Sequence, residues 1–250
     1  MESLVEVVGL VAIGIIAGAI NTIAGGGSLL TLPILIFLGL PPNIANGTNR
    51  IAILFQNIFT TAGFKSKGIK TFPFSIYVGI SALVGSIIGA QIAIDISGDL
   101  FNKILAVIMV VIVVYMVVKS KTMNIETLER TTGKHLFWSI VVFFFVGVYG
   151  GFIQAGVGFI MLLVLSSINN FSLVKSNAVK VTVVLIYTIA AVAVFAYNDK
   201  INWTMGLTLA LGTAIGGWVA SRWSVNKGDQ LVRKFLIVMV TLMAIKLYFF

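Results

Sequence analysis

The 250-residue chain contains no cysteine, one histidine and only eight acidic residues. Without cysteine it has no disulfide, no thiolate metal ligand and no thiol nucleophile, although this absence says nothing of redox compartment. The acids are Glu2, Glu6, Asp95, Asp99, Glu126, Glu129, Asp199 and Asp229, and all fall at expected helix ends or in loops. His135 sits at the edge of an apolar run beside Lys134. No paired carboxylates, metal cluster or Ser/His/Asp set can assemble deep in an apolar stretch. That excludes the usual hydrolases, metalloenzymes and carboxylate-based proton or sodium relays. Neither an enzyme nor a cofactor nor a metal is expected.

What the chain has in abundance is apolar. Hydrophobic residues make up 59% of it, charged residues 10%, and the mean hydropathy is +1.08. No soluble domain hides that much apolar surface, so the expected solvent is a bilayer. The apolar runs continue to Phe250, leaving no room for a soluble domain. The first run follows Glu2 and Glu6 rather than a basic stretch, so it is not expected to be a cleaved signal peptide. The net charge of +9 lies mostly between the runs. There it suits anionic lipid headgroups, not nucleic acid.

The same plan occurs twice. Gly14, Gly18, Asn21 and Ala24-Gly25-Gly26-Gly27 precede Asn46-Gly47-Thr48-Asn49-Arg50, and Gly147, Gly151, Gln154 and Ala155-Gly156-Val157-Gly158 precede Asn177-Ala178-Val179-Lys180. Gly79, Gly85, Gly89 and Ala90 match Gly206, Gly212, Gly216 and Gly217, and Gly98-Asp99-Leu100-Phe101 resembles Gly228-Asp229-Gln230-Leu231. Duplicated membrane chains with matched helix interruptions are typical of transporters, with the site at the repeat interface.

Apolar blocks fall at 5–24, 28–39, 43–64, 73–94, 102–118, 136–155, 159–168, 172–197, 203–221 and 231–250. The second and seventh are too short to cross a bilayer, which takes roughly 20 residues. Each follows a glycine cluster and precedes a turn signal, Gly39-Leu40-Pro41-Pro42 or Asn169-Asn170. Each therefore reads as the returning arm of a broken, hairpin-like element. Non-helical backbone at membrane depth must be covered by protein or a watery cavity. Gly14, Gly18, Gly79, Gly85 and Gly89 read instead as close helix packing through small residues.

Basic residues orient the halves. If each broken element re-enters on one side and three helices then cross, the second half is inverted relative to the first. Thirteen of the seventeen basic residues then share one side, among them Lys65, Lys67, Lys70, Lys119, Lys121, Lys227, Arg233 and Lys234. Arg50, Lys103, Lys200 and Lys246 fall on or near the other. Eight parallel spans would divide the residues nearly evenly, so the positive-inside rule favours inversion. The expected organisation is a first transmembrane repeat at 1–121, a cytoplasmic linker at 122–135 and a second repeat at 136–250. Both termini lie outside.

Two cations lie at depth. Arg50 and Lys180 are each roughly 10–12 Å along their helices from the nearer end. Burying a cation there costs several kcal/mol, so it faces a cavity or a partner unless it snorkels to the headgroups. An anionic ligand would neutralise both. Asn46, Thr48, Asn49, Gln56 and Asn57, then Asn177, Thr182 and Tyr187, form a polar stripe beside them that reads as lining a pathway, or as interhelical hydrogen bonding. Helix N-termini and glycine turns offer N–H groups to oxyanions, so the arms starting at Ser28 and Phe159 add to the candidate site. Its members are Asn21, Gly25, Gly26, Gly27, Ser28, Asn46, Thr48, Asn49, Arg50, Gln154, Gly156, Gly158, Asn177 and Lys180.

The run Gly14 to Pro33, with Asn21 and Gly25-Gly26-Gly27 inside it, resembles the signature of the sulfite exporter TauE/SafE family. Asn46-Gly47-Thr48-Asn49 fits it too, and Gly147 to Gly158 with Asn177 to Lys180 is similar to its looser second copy. The resemblance spans essentially the whole chain. It implies transport of sulfite, sulfoacetate, thiosulfate or a similar small anion across a prokaryotic plasma membrane. The expected protein is an all-α, polytopic transporter of two inverted repeats, each a glycine-broken element plus three transmembrane helices, working by alternating access. Its expected partners are an inorganic or organosulfur anion, membrane lipids and a second copy of itself. A channel-like anion pore and a non-transporting membrane subunit are the alternatives.

Overall fold

A computed structural model describes residues 4–118 and 128–224. The last expected span, the Gly228–Leu231 echo and the centre of the linker lie outside these residues. So do Glu2, Lys119, Lys121, Glu126, Lys227, Asp229, Arg233, Lys234 and Lys246. All regular structure among the described residues is helical: α1 (Leu4–Ala24), α2 (Ser28–Phe37), α3 (Pro42–Ser66), α4 (Phe74–Asp95), α5 (Gly98–Val118), α6 (Gly133–Phe152), α7 (Val157–Asn169), α8 (Leu173–Tyr197) and α9 (Trp203–Trp223).

Local chemistry sets these ends. Pro42 opens α3, where its missing N–H costs nothing. The Ser172 hydroxyl accepts from Lys175 N–H and the Asn202 side chain from Met205 N–H, capping α8 and α9. Asn170, at φ 54°, ends α7 in the left-handed region that asparagine tolerates. One boundary differs from the sequence expectation. The second arm begins at Val157 rather than Phe159, because Gly156 at φ 71° completes the turn alone and the helix restarts at once.

Packing repeats residue by residue between the halves. A Cβ on Gly14 would lie 2.8 Å from Leu209 O, and one on its counterpart Gly147 2.1 Å from Ala82 O. Gly18 meets Thr213 O at 2.4 Å as Gly151 meets Ser86 O at 2.2 Å. Gly212 and Gly216 face Val11 and Ile15; Gly85 and Gly89 face Phe144 and Val148 in the matching places. The first helix of each half therefore packs on the fourth helix of the other, at distances only glycine permits. The packing role expected of Gly14, Gly18, Gly85 and Gly89 is what the structure shows, and Gly79 lies against the Ile186 side chain.

These contacts also give directions. α1 and α9 run parallel, as do α4 and α6. α3 runs parallel to α9, with Gly206 beside Thr48 and Gly63 against Ser221. α3 and α8 run antiparallel, with Gly47 against Phe195 at one end and Phe64 packed on Ala178 and Val181 at the other. α3 and α8, which hold equivalent places in the two halves, thus run oppositely. Because α1 and α3 point the same way, the chain between them must return. The ten-residue α2 makes that return, about 15 Å long, with Gly27 seated against Ala17 and Asn21. Phe101, Leu105 and Met109 of α5 share one buried apolar cluster with Leu29, Leu32 and Leu35 of α2.

Helices α1, α4, α6, α8 and α9 are long and apolar enough to cross a membrane. Their outward faces, such as Ile80, Val84 and Ile88 of α4 and Leu207, Leu211 and Ile215 of α9, are exposed and apolar, as lipid contact requires. α3 has the length, at 25 residues, but carries the polar stripe, which is turned inward.

Candidate functional site

The two helix breaks touch. After α1 the chain turns through Gly25 at φ 82°, and after α6 through Gln154 at φ 66° and Gly156 at φ 71°. Gly25 and Gly158 press backbone on backbone, so that a Cβ on Gly158 would fall 2.4 Å from Gly25 Cα. Gln154 is a buried non-glycine residue in the left-handed region, a conformation that costs on the order of 1–2 kcal/mol and needs compensation. Its side chain supplies that by bonding Arg50.

A helix that stops inside the bundle leaves up to four carbonyls unpaired and a negative dipole end. Both broken helices are capped by a cation from the opposite half. The Arg50 guanidinium, fully buried, donates from Nη1 to Gly150 O and Gln154 Oε1, each at 2.7 Å. From Nη2 it donates to Gly151 O at 2.6 Å and Asn46 Oδ1 at 3.3 Å. Asn46 Nδ2 takes Phe152 O at 2.7 Å. In the mirrored arrangement Lys180 Nζ donates to Asn21 O at 2.9 Å, Thr22 O at 3.1 Å and Asn177 Oδ1 at 2.6 Å, while Asn177 Nδ2 takes Ile23 O at 3.1 Å. Each half thus ends the other's broken helix with one cation and one asparagine. The Arg50 guanidinium also lies over the Phe195 ring, 5.0 Å from its centroid.

The remaining expected residues divide. Asn21 Nδ2 donates to Gln56 Oε1 at 3.0 Å, and Gln56 Nε2 donates to Gly18 O at 3.2 Å. Asn49 Oδ1 accepts from Thr31 at 2.7 Å, tying α3 to α2, while its buried Nδ2 has no partner among the described residues. Gly26 and Ser28 are buried at the first break. The space beside Gly156 is filled by the Ile112 side chain. Thr48 belongs elsewhere: its hydroxyl accepts from Asn202 N–H at 2.8 Å and fixes the α8–α9 turn. Sequence reasoning placed Gln56 and Tyr187 in the stripe without a site role. Both occupy the same position of the repeat and lie against the broken helices, which was the available signal. The C-terminal carbonyls were also overlooked, although any buried helix end needs donors.

One cavity, about 920 Å³ between α3 and α9, is lined mainly by apolar groups such as Phe55, Phe59, Leu207 and Leu211, and neither cation borders it. A smaller one of about 400 Å³ lies at the α3–α4 turn, bordered by Lys65, Lys70, Thr71 and Thr182. The two cations themselves are closed off, at 0% and 2% exposure.

Comparison with known proteins agrees with this architecture. The model of the family described as Sulfite exporter TauE/SafE matches residues 10–247. A "Probable membrane transporter protein" of Haemophilus influenzae is 27% identical over 240 residues, covering 96% of this chain and 93% of its own. A relative of similar description from Sinorhizobium sp is 26% identical over 93% of this chain and 88% of its own. The "Probable membrane transporter protein YfcA" of Escherichia coli is 26% identical, with 95% and 87% covered. No solved structure matches. With a family match across nearly the whole chain and a bundle of apolar helices around a polar crossing, this multi-pass membrane protein belongs to the sulfite exporter TauE/SafE family.

Proposed function

We propose that the chain carries a small anion of the sulfite, sulfoacetate or thiosulfate type across a prokaryotic plasma membrane, by alternating access between two inverted halves. One observation carries the reading: among the described residues, a fully buried guanidinium at the meeting of the broken helices hydrogen-bonds neutral oxygens and no carboxylate. Arginine stays charged in proteins, and an uncompensated charge at that depth favours an anion beside it. The opposed directions of equivalent helices support inversion, because a repeat turned over in the membrane reverses every helix. The family's name supports sulfur chemistry.

Rocking one half against the other about the crossing would open the site to each side in turn. The burial of Arg50 and Lys180 fits an occluded conformation on that path. The described acids Glu6, Asp95, Asp99, Glu129 and Asp199 stand at helix ends or in loops, which favours flux down the anion's own gradient without a carboxylate relay. Uptake of sulfite or thiosulfate into proteoliposomes tests the reading. Saturable flux, accelerated by the same anion on the far side, supports a carrier. Flux that never saturates indicates a pore, and no flux of any small sulfur anion defeats the proposal.

A further inference from the structure

The two halves differ where their symmetry should be strongest. Gln56 and Tyr187 occupy equivalent positions on α3 and α8, each facing the end of a broken helix. Gln56 is satisfied there: it donates to Gly18 O and accepts from Asn21 Nδ2. The matching partners for Tyr187 would be Gly151 O and Gln154. Arg50 has taken both, through Nη2 and Nη1. Among the described residues the Tyr187 hydroxyl is consequently left with no partner, although the residue is 0% exposed. The Nε of Arg50, the fifth donor of its fork, is likewise buried and unpartnered among these residues.

The Arg50 guanidinium and the Tyr187 hydroxyl both lie at Gly150. Arg50 Nη1 donates to its carbonyl at 2.7 Å, and a Cβ on Gly150 would lie only 2.9 Å from Tyr187 Oη. Glycine there leaves the hydroxyl room to sit against the helix end. An unpaired buried hydroxyl costs on the order of 1–3 kcal/mol, and a phenylalanine would avoid that cost at the same shape. Sites built to hydrogen-bond a ligand oxygen carry such groups, because the ligand supplies the missing partner.

We propose that Tyr187 is a substrate-binding residue: its hydroxyl, together with Arg50 Nε, donates to an oxygen-bearing anion at the α6 end of the crossing. This assigns the anion to one half of the site and makes the other half, where Gln56 closes the hydrogen bonds, a structural copy. It rests on the anion-transport reading above. The ligand class is a small oxyanion, whose several oxygens accept from both donors at once. Phenol O–H and guanidinium N–H both donate toward it, so a ligand with no acceptor atom gains nothing from the tyrosine.

The test is Tyr187→Phe in detergent-purified full-length protein. Binding of inorganic sulfite, thiosulfate and sulfate is followed by calorimetry, with melting temperature measured alongside. Ser75→Ala, which removes another buried unpartnered hydroxyl from α4, serves as the control. Tyr187→Phe is expected to bind the preferred anion about tenfold more weakly, with a melting temperature equal to or above the parent's, whereas Ser75→Ala keeps the parent's affinity. Unchanged affinity in Tyr187→Phe, with the parent binding well, overturns the role of Tyr187 and leaves the transport reading standing. Early melting of Tyr187→Phe shows that the hydroxyl has a structural duty, and also overturns the proposal. A parent that binds none of the three anions removes the transport reading and this site together.

Discussion

Gly25 and Gly158 meet backbone to backbone, so that the Cβ each lacks would lie 2.7 Å or 2.4 Å from the other's Cα. They come from opposite halves, and their contact is where the two broken helices join. Neither side can yield by rotating a side chain. Gly158→Ala is therefore expected to cost at least the ~1–3 kcal/mol typical of overpacking, read as a lower melting temperature in detergent. A Gly158→Ala protein that melts with the parent would show that the breaks do not touch.

Glycines in the helix pairs give a matched test. Gly18→Ala and Gly151→Ala both push a methyl into a carbonyl of the facing helix, Thr213 O or Ser86 O. Both should destabilise, and by similar amounts, because the contacts are counterparts. Gly9 also lies in α1, but nothing stands within 4 Å of its Cβ position. Gly9→Ala should instead gain about 0.5–1 kcal/mol from helix propensity. Opposite signs within one helix, seen in thermal melts, separate packing from propensity.

Arg50 and Lys180 hold the fold as well as any ligand. Arg50→Lys keeps the charge but replaces a planar fork with three donors on a point charge. It cannot serve Gly150, Gly151, Gln154 and Asn46 together. Lys180→Met leaves Asn21 O, Thr22 O and Asn177 Oδ1 without that donor. Each is expected to lose about 1–3 kcal/mol of stability per acceptor stranded in the bundle. Melting temperatures at or above the parent's would contradict the capping role. Anion affinities of such variants are meaningful only for the folded fraction.

Sidedness follows from helix direction. α3 and α9 run parallel, with Gly63 against Ser221 near their ends, so Ser66→Cys and Ser224→Cys should react with an impermeant maleimide from one side of the membrane. Lys200→Cys, beside Gly47 at the other end of α3, should react from the opposite side. The cysteine-free background makes each label unambiguous. Reaction of Ser66→Cys and Ser224→Cys from opposite sides would break the parallel pairing.

Much of this architecture was legible from local signals, which is why the sequence carried it. An apolar run long enough to span, a proline at Pro42 and three consecutive glycines at Gly25 to Gly27 report on themselves. So does a repeat, since Gly14 and Gly147 recur with their neighbours whatever they touch. The depth of Arg50 and Lys180 also follows from counting residues along a helix. What the chain could not display is which groups meet across it. Arg50 is a hundred residues from Gly150, and its fourfold bonding depends on α3 crossing the end of α6. The orphaned hydroxyl of Tyr187 is more hidden still, because it exists only after Arg50 has taken Gly151 O and Gln154. Sequence determined the elements, the breaks and the buried charge, since those arise from spacing along one chain. Tertiary structure alone decided that each half caps the other, because a helix end buried in the bundle must find its donors in whatever packs against it.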